Sequence, residues 1–169
     1  AMVSVPPMDK HGYFNFSLNN SATRATLETA KKVIVEINEN LPIALGGREE
    51  CIHISEVDYI VAGNNTPAIE LPGTIPDEID QRAARLIVDE IVDGATIQLG
   101  IGGMPNAVGN LIAESDVKNL GMHTEMLVDA FLTLYEKGKL TNKFKNTDKG
   151  KGAWTFCMGS KKLYDWVDN

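Results

Sequence analysis

A chain of 169 residues suits one domain or pieces of two. Its 43% hydrophobic content is that of a packed globular protein, its net charge of −7 argues against nucleic acid as a partner, and no apolar run reaches the roughly 18 residues of a membrane span. Cys51 and Cys157 have no metal-ligand spacing, and the opening Ala-Met-Val-Ser-Val-Pro-Pro lacks a signal peptide's apolar stretch, so the sequence predicts two reduced thiols in a cytoplasmic protein.

In chain order, HGYFNFS (11–17) predicts a short strand, and Ser21 is placed to cap a helix over residues 22–32. VIVEIN (33–38), CIHIS (51–55) and VDYIVAG (57–63) predict three more strands. NNTPAIELPGT (64–74), with two prolines and a glycine, reads as a domain boundary. Beyond it, Ile79, Ala83, Leu86, Ile87 and Ile91 share one helical face, with Gly94 as the stop. ATIQLG (95–100) is strand-like. Pro105 suits the first turn of the next helix, whose buried face would be Val108, Leu111 and Ile112. VKNLGMH (117–123) predicts a strand. A stripe of Met126, Leu127, Ala130, Phe131, Leu134 and Tyr135 predicts a helix ending at Gly138. AWTFCMGS (153–160) predicts a last strand, and KLYDWVDN opens a helix. Strands alternating with helices imply an α/β fold with a largely parallel sheet.

Charge is unevenly spread. Residues 137–162 hold eight lysines against one acid, Asp148. This stretch reads either as a solvated loop or as a surface that attracts a small polyanion.

The sharpest local pattern is GIGGMPNAVG (100–109), which follows a strand and opens a helix. A parallel crossover brings GIGGMP and Glu125, in GMHTEM, to the carboxyl ends of neighbouring strands, where sites in open α/β sheets collect. The glycine turn leaves backbone N–H groups uncovered at a helix N-terminus, which suits an anion or a developing oxyanion. A side chain at Gly102 or Gly103 would crowd that site or deny the turn its backbone angles. A carboxylate facing such donors can act as nucleophile, base or ligand. Three other readings compete. A dinucleotide fingerprint, G-x-G-x-x-G, is matched at Gly100 and Gly102 but has Pro105 in its third glycine position. His123-x-Glu125 is half of a zinc-deaminase signature without its P-C-x-x-C partner. In the third reading the glycines merely turn the chain and Glu125 caps the following helix.

GIGGMPNAVG, GMHTEMLVD and GKG…FCMGSKKLYDWVDN, in this order and spacing, resemble the family I CoA-transferases, in the branch of the acetyl-CoA hydrolases and transferases. The resemblance runs from MDKHGYFNFS onward and implies a three-layer α/β/α fold, incomplete in this chain. Residues 1–70 would be the tail of an N-terminal domain, and 71–169 the front of a C-terminal domain that carries the nucleophile. It implies a middle fragment of a longer enzyme that works as a homodimer or higher oligomer. Glu125 would be the catalytic nucleophile, and Gly102, Gly103, Met104, Pro105 and Asn106 would line the thioester end of coenzyme A. CoA is then a substrate, exchanged between an acyl-CoA and a short carboxylate, with no metal and no permanently bound cofactor. His123 would fix geometry, and His11 and His53 would be structural. Hydrolysis of acetyl-CoA, or an inactive fragment, are the alternatives.

Overall fold

Short apolar runs separated by polar turns build two compact units, Ala1–Glu70 with Tyr164–Asn169, and Leu71–Leu163. The structure is a computed structural model that describes residues 1–47 and 49–168. Asn169, expected in the last helix, lies outside the described residues. The fold is mixed α/β with mostly parallel strand pairs.

The first unit holds β1 (Met2–Val5), β2 (Tyr13–Asn15), α1 (Thr23–Thr29), β3 (Ile34–Ile37), β4 (Cys51–His53), a 3-10 turn over Ile54–Glu56 and β5 (Tyr59–Ala62). β1, β3 and β5 form a parallel sheet with β3 in the middle, and β2 pairs antiparallel with β4. Val5, Phe14, Phe16, Leu27, Val35 and Ile52 are buried together. One strand was not expected, and two expectations change. Met-Val-Ser-Val is a strand, because β3 offers it a parallel edge that local sequence does not reveal. Ser21 does not cap α1: the cap position is Ala22, with no side-chain hydrogen bond. Ile54 and Ser55 leave the strand because the His53 imidazole accepts from the Ser55 N–H and caps the 3-10 turn.

The second unit holds α2 (Glu78–Val88), β6 (Thr96–Ile97), α3 (Gly103–Glu114), β7 (Gly121–Met122), β8 (Met126–Leu127), α4 (Asp129–Glu136) and β9 (Phe156–Cys157); α5 (Lys161–Val167) follows. β6 and β7 are parallel, as the crossover through α3 requires. β8 and β9 are also parallel, and a bridge from His123 to Ala153 links the two pairs. Residues 120–127 thus form one interrupted strand, with 95–99 on one side and 153–157 on the other.

α2 is capped by Asp77, whose carboxylate accepts from the Asp80 N–H while the Asp80 carboxylate accepts from the Asp77 N–H. It ends at Val88, ahead of both Ile91 and Gly94. Its expected apolar face is turned outward: Ile79 is 76% exposed and Leu86 72%, whereas Ala84 is fully buried. The inward line is Asp80, Ala84 and Val88, one position over, because a small residue at 84 lets α2 close against α3. In α3, Val108 and Ile112 are buried as expected, and Leu111 is half-buried. Met126 and Leu127 belong to β8 rather than to a helix, since β9 supplies them with a parallel partner. α4 buries Phe131, Leu132 and Leu134 and leaves Tyr135 exposed.

Candidate active site

The glycine turn leaves β6 and enters α3 through Gly102, which is the cap residue at φ 116° and ψ 177°. Only glycine adopts this conformation readily. No side chain caps α3, and the N–H groups of Gly102, Gly103 and Met104 have no partner among the described residues. Pro105 removes one further orphan donor at the first turn. The result is a row of free N–H groups at a helix N-terminus, the arrangement that stabilises an anion. A carbon added at Gly102 meets only Pro105 Cδ, at 3.8 Å.

Gly103 is glycine for a different reason than its backbone angles. A Cβ there would collide with the Asp80 carboxylate, which α2 holds against the turn. Gly103→Ala is therefore expected to push the Asp80 carboxylate off the Asp77 N–H and to destabilise the protein by about 1–2 kcal/mol, the scale of a broken helix cap. With Asp80→Ala already present the penalty should shrink below about 1 kcal/mol. A double-mutant cycle of denaturant melts checks this; equal penalties in both backgrounds would place the strain elsewhere.

Glu125 lies in the gap between β7 and β8, beside the end of β6. Its N–H approaches Gln98 Oε1 at 3.4 Å, and the preceding Thr124 hydroxyl lies 3.3 Å from the Leu99 carbonyl and 2.9 Å from that of Met126. Leu99 is the residue before the glycine turn, so the segment carrying Glu125 is tied to the base of that turn. The Glu125 carbonyl accepts from Thr155 N at 3.0 Å, Phe156 N at 3.2 Å and Thr155 Oγ1 at 2.7 Å. Its carboxylate is exposed and has no partner among the described residues. It does not cap α4, whose cap position is Val128.

His123 is exposed and spends its backbone N–H on the Ile97 carbonyl. His53 packs edge-on against Tyr13 and bonds Ser55, and His11 is exposed. Met104 is 38% exposed at the start of α3. The Asn106 amide donates to the Thr74 carbonyl, so this side chain ties the segment before α2 to α3. Burial pushes the Cys157 thiol up to about 12, which keeps it un-ionised.

The lysine-rich stretch is less free than its composition suggests. Lys139 bonds the carbonyls of Ser115 and Val117, and Lys162 pairs with Glu136. Lys145 is 5% exposed and donates to the Met122 and Lys151 carbonyls, both at 2.7 Å. It staples the 142–151 loop to the strand just upstream of Glu125. Nothing in local sequence marks it apart from its seven lysine neighbours. Burial pushes its pKa below the ordinary 10.5. Between the lowered value and 10.5 the unfolded chain binds more protons than the folded one, so this group makes the fold more stable as pH rises. Compared with Lys145→Met, the parent's melting temperature should gain as pH rises from the lowered value towards 10.5. A constant difference across that range would contradict this account.

Among the described residues, no helix is long and apolar enough to cross a membrane. The family model described as acetyl-CoA hydrolase/transferase N-terminal domain matches residues 1–71. The chain is 54% identical over 170 residues to the butyryl-CoA:acetate CoA-transferase of Anaerostipes caccae, covering 100% of this chain and 38% of that protein. It is 41% identical over 169 residues to the 4-hydroxybutyrate coenzyme A transferase of Clostridium kluyveri, again covering 100% of this chain and 38% of the relative. The crystal structure of 4-hydroxybutyrate CoA-transferase from Porphyromonas gingivalis superposes with a TM-score of 0.91 at 34% identity, covering 100% of this chain and 42% of that one. The chain thus spans about 38% of the length of the curated relatives it matches. Agreement in sequence and backbone along the whole of this chain, at these identities, makes the chain a member of the acetyl-CoA hydrolase/transferase group of family I CoA-transferases.

Proposed function

We propose that the protein to which this chain belongs transfers CoA between a short-chain acyl-CoA and a carboxylate acceptor such as acetate, with Glu125 as nucleophile. The observation that carries this reading is the pairing of an unpartnered Glu125 carboxylate with unpartnered N–H groups at Gly102, Gly103 and Met104, on neighbouring strand ends. In this reading residues 1–70 are the tail of the N-terminal domain and residues 71–169 the front of the C-terminal domain.

Glu125 attacks the thioester carbonyl. The C–O bond forms, the C–S bond breaks, and CoA leaves as thiolate, giving an acyl-glutamyl anhydride. The thiolate then attacks the glutamyl carbonyl, which releases the first carboxylate and leaves a glutamyl-CoA thioester. The incoming carboxylate attacks that thioester to form a second anhydride, and the thiolate takes the new acyl group, which frees Glu125. Every step exchanges a carboxylate and a thiolate, so the sequence balances without net proton or electron transfer. Each attack places negative charge on a carbonyl oxygen, and the free N–H groups of the glycine turn are suited to receive it.

The test is turnover of butyryl-CoA by the full-length protein with and without acetate. Acetyl-CoA formed in amounts equal to the butyryl-CoA consumed supports transfer. Free CoA released at the same rate without acetate supports hydrolysis instead, with water resolving the intermediate. Neither product, from folded full-length protein, rejects the proposal.

A further inference from the structure

We infer that Thr155 is a positioning residue for Glu125: its hydroxyl fixes the peptide of the nucleophile and thereby aims the carboxylate. The inference rests on the reading of Glu125 as nucleophile. It starts from the strand interruption between β7 and β8. A regular parallel ladder would give each carbonyl one donor. At Glu125 one carbonyl takes two backbone N–H groups, from Thr155 at 3.0 Å and Phe156 at 3.2 Å, where the ladder changes phase with its register kept, His123 against Ala153 and Met126 against Phe156.

The Thr155 hydroxyl adds a third donor to the same oxygen, and at 2.7 Å it is the shortest of the three. On the opposite side the Glu125 N–H faces Gln98, and the Thr124 hydroxyl bridges towards Leu99 and Met126. The backbone of Glu125 is thus held on both sides, while its carboxylate is exposed and unpartnered among the described residues. A rigid peptide under a free carboxylate is what an attacking group needs: the direction of the Cα–Cβ bond is set in advance, and only side-chain torsions remain to be chosen.

Folding alone does not call for the third donor. Thr155 is exposed, and the Glu125 carbonyl already has two N–H partners without it. Buried polar groups must find partners, but an exposed hydroxyl has water as an alternative. Thr124 differs, being 3% exposed, so its hydroxyl must be satisfied internally and its loss would perturb packing. Thr155 is therefore the position at which aiming separates from stability.

The experiment uses the full-length enzyme with Thr155→Val, which keeps the shape and removes the hydroxyl, and Thr155→Ser, which keeps the hydroxyl. Single-turnover mixing with butyryl-CoA, quenched with borohydride, gives the rate and the final extent of adduct at Glu125. Thr155→Val should slow adduct formation between about ten- and a hundredfold, the scale of a misplaced reacting group. Final extent, KM for butyryl-CoA and melting temperature should stay close to the parent's, and Thr155→Ser should restore most of the rate. If Thr155→Val folds poorly, Thr155→Ala removes the same hydroxyl and the same measurements decide. A parent-like rate in Thr155→Val, or a Thr155→Ser as slow as Thr155→Val, overturns the inference. So does a variant that loses only active fraction and melting temperature, because that is a structural role. A parent enzyme that forms no adduct at Glu125 overturns the nucleophile reading itself, and that failure shows before any threonine variant is made.

Discussion

Glu125→Ala in the full-length enzyme is expected to lower the turnover number by about 10⁴-fold or more while leaving the melting temperature nearly unchanged. In the proposed reaction Glu125 forms the covalent bond, and losing such a group removes a whole pathway, which is why such substitutions rank among the most damaging in enzymes. The fold should be indifferent. The Glu125 side chain is exposed and bonds nothing among the described residues, and the hydrogen bonds at this position all use backbone atoms that alanine retains. Borohydride added during turnover should reduce a glutamyl thioester, shifting the mass of the Glu125 peptide in the parent and not in the variant. Label persisting in Glu125→Ala, or turnover within tenfold of the parent, would reject Glu125 as nucleophile.

Gly102→Ala should have the second largest effect, and its cause is conformational. At φ 116° and ψ 177° an L-residue is strained by roughly 1–3 kcal/mol, although the added carbon finds open space. The turn will relieve the strain by rotating its peptides, and this moves the N–H groups that the proposed mechanism directs at the developing oxyanion. Losing one such donor typically costs about 10²–10³-fold in turnover number. Steady-state kinetics should therefore show a fall of that size with KM for acyl-CoA little changed. A rise in KM at constant turnover number would mean that the turn grips CoA and contributes nothing to the transition state. Unlike Gly103→Ala, this variant should not be rescued by Asp80→Ala, because Asp80 crowds position 103 and not position 102.

Much of the architecture is written in local pattern. The apolar run within 33–38, the proline after the glycine turn and the glycine at 138 each act over a few residues, and the elements they imply are present. The order strand, glycine turn, helix, strand is also local, and a helical crossover of this kind joins parallel neighbours, as β6 and β7 are. The neighbourhood of Gly102 and Glu125 could be read on that basis, because chain connectivity and backbone sterics leave few alternatives.

Other features depend on surfaces that meet only after folding. The face that α2 turns inward was decided by how closely Ala84 can approach α3, and the larger apolar stripe beside it stays outside. Met126 and Leu127 became a strand because β9, some 30 residues later, offered them hydrogen bonds. The same holds at the candidate site. Asp80 against Gly103, Lys145 under the Met122 carbonyl and Thr155 on the Glu125 carbonyl are partnerships across 23, 23 and 30 positions of sequence. Sequence by itself determined which residues could donate, accept or turn; the tertiary structure alone decided which donor reached which acceptor, because a hydrogen bond depends on distance and angle in space and leaves no periodic trace along the chain.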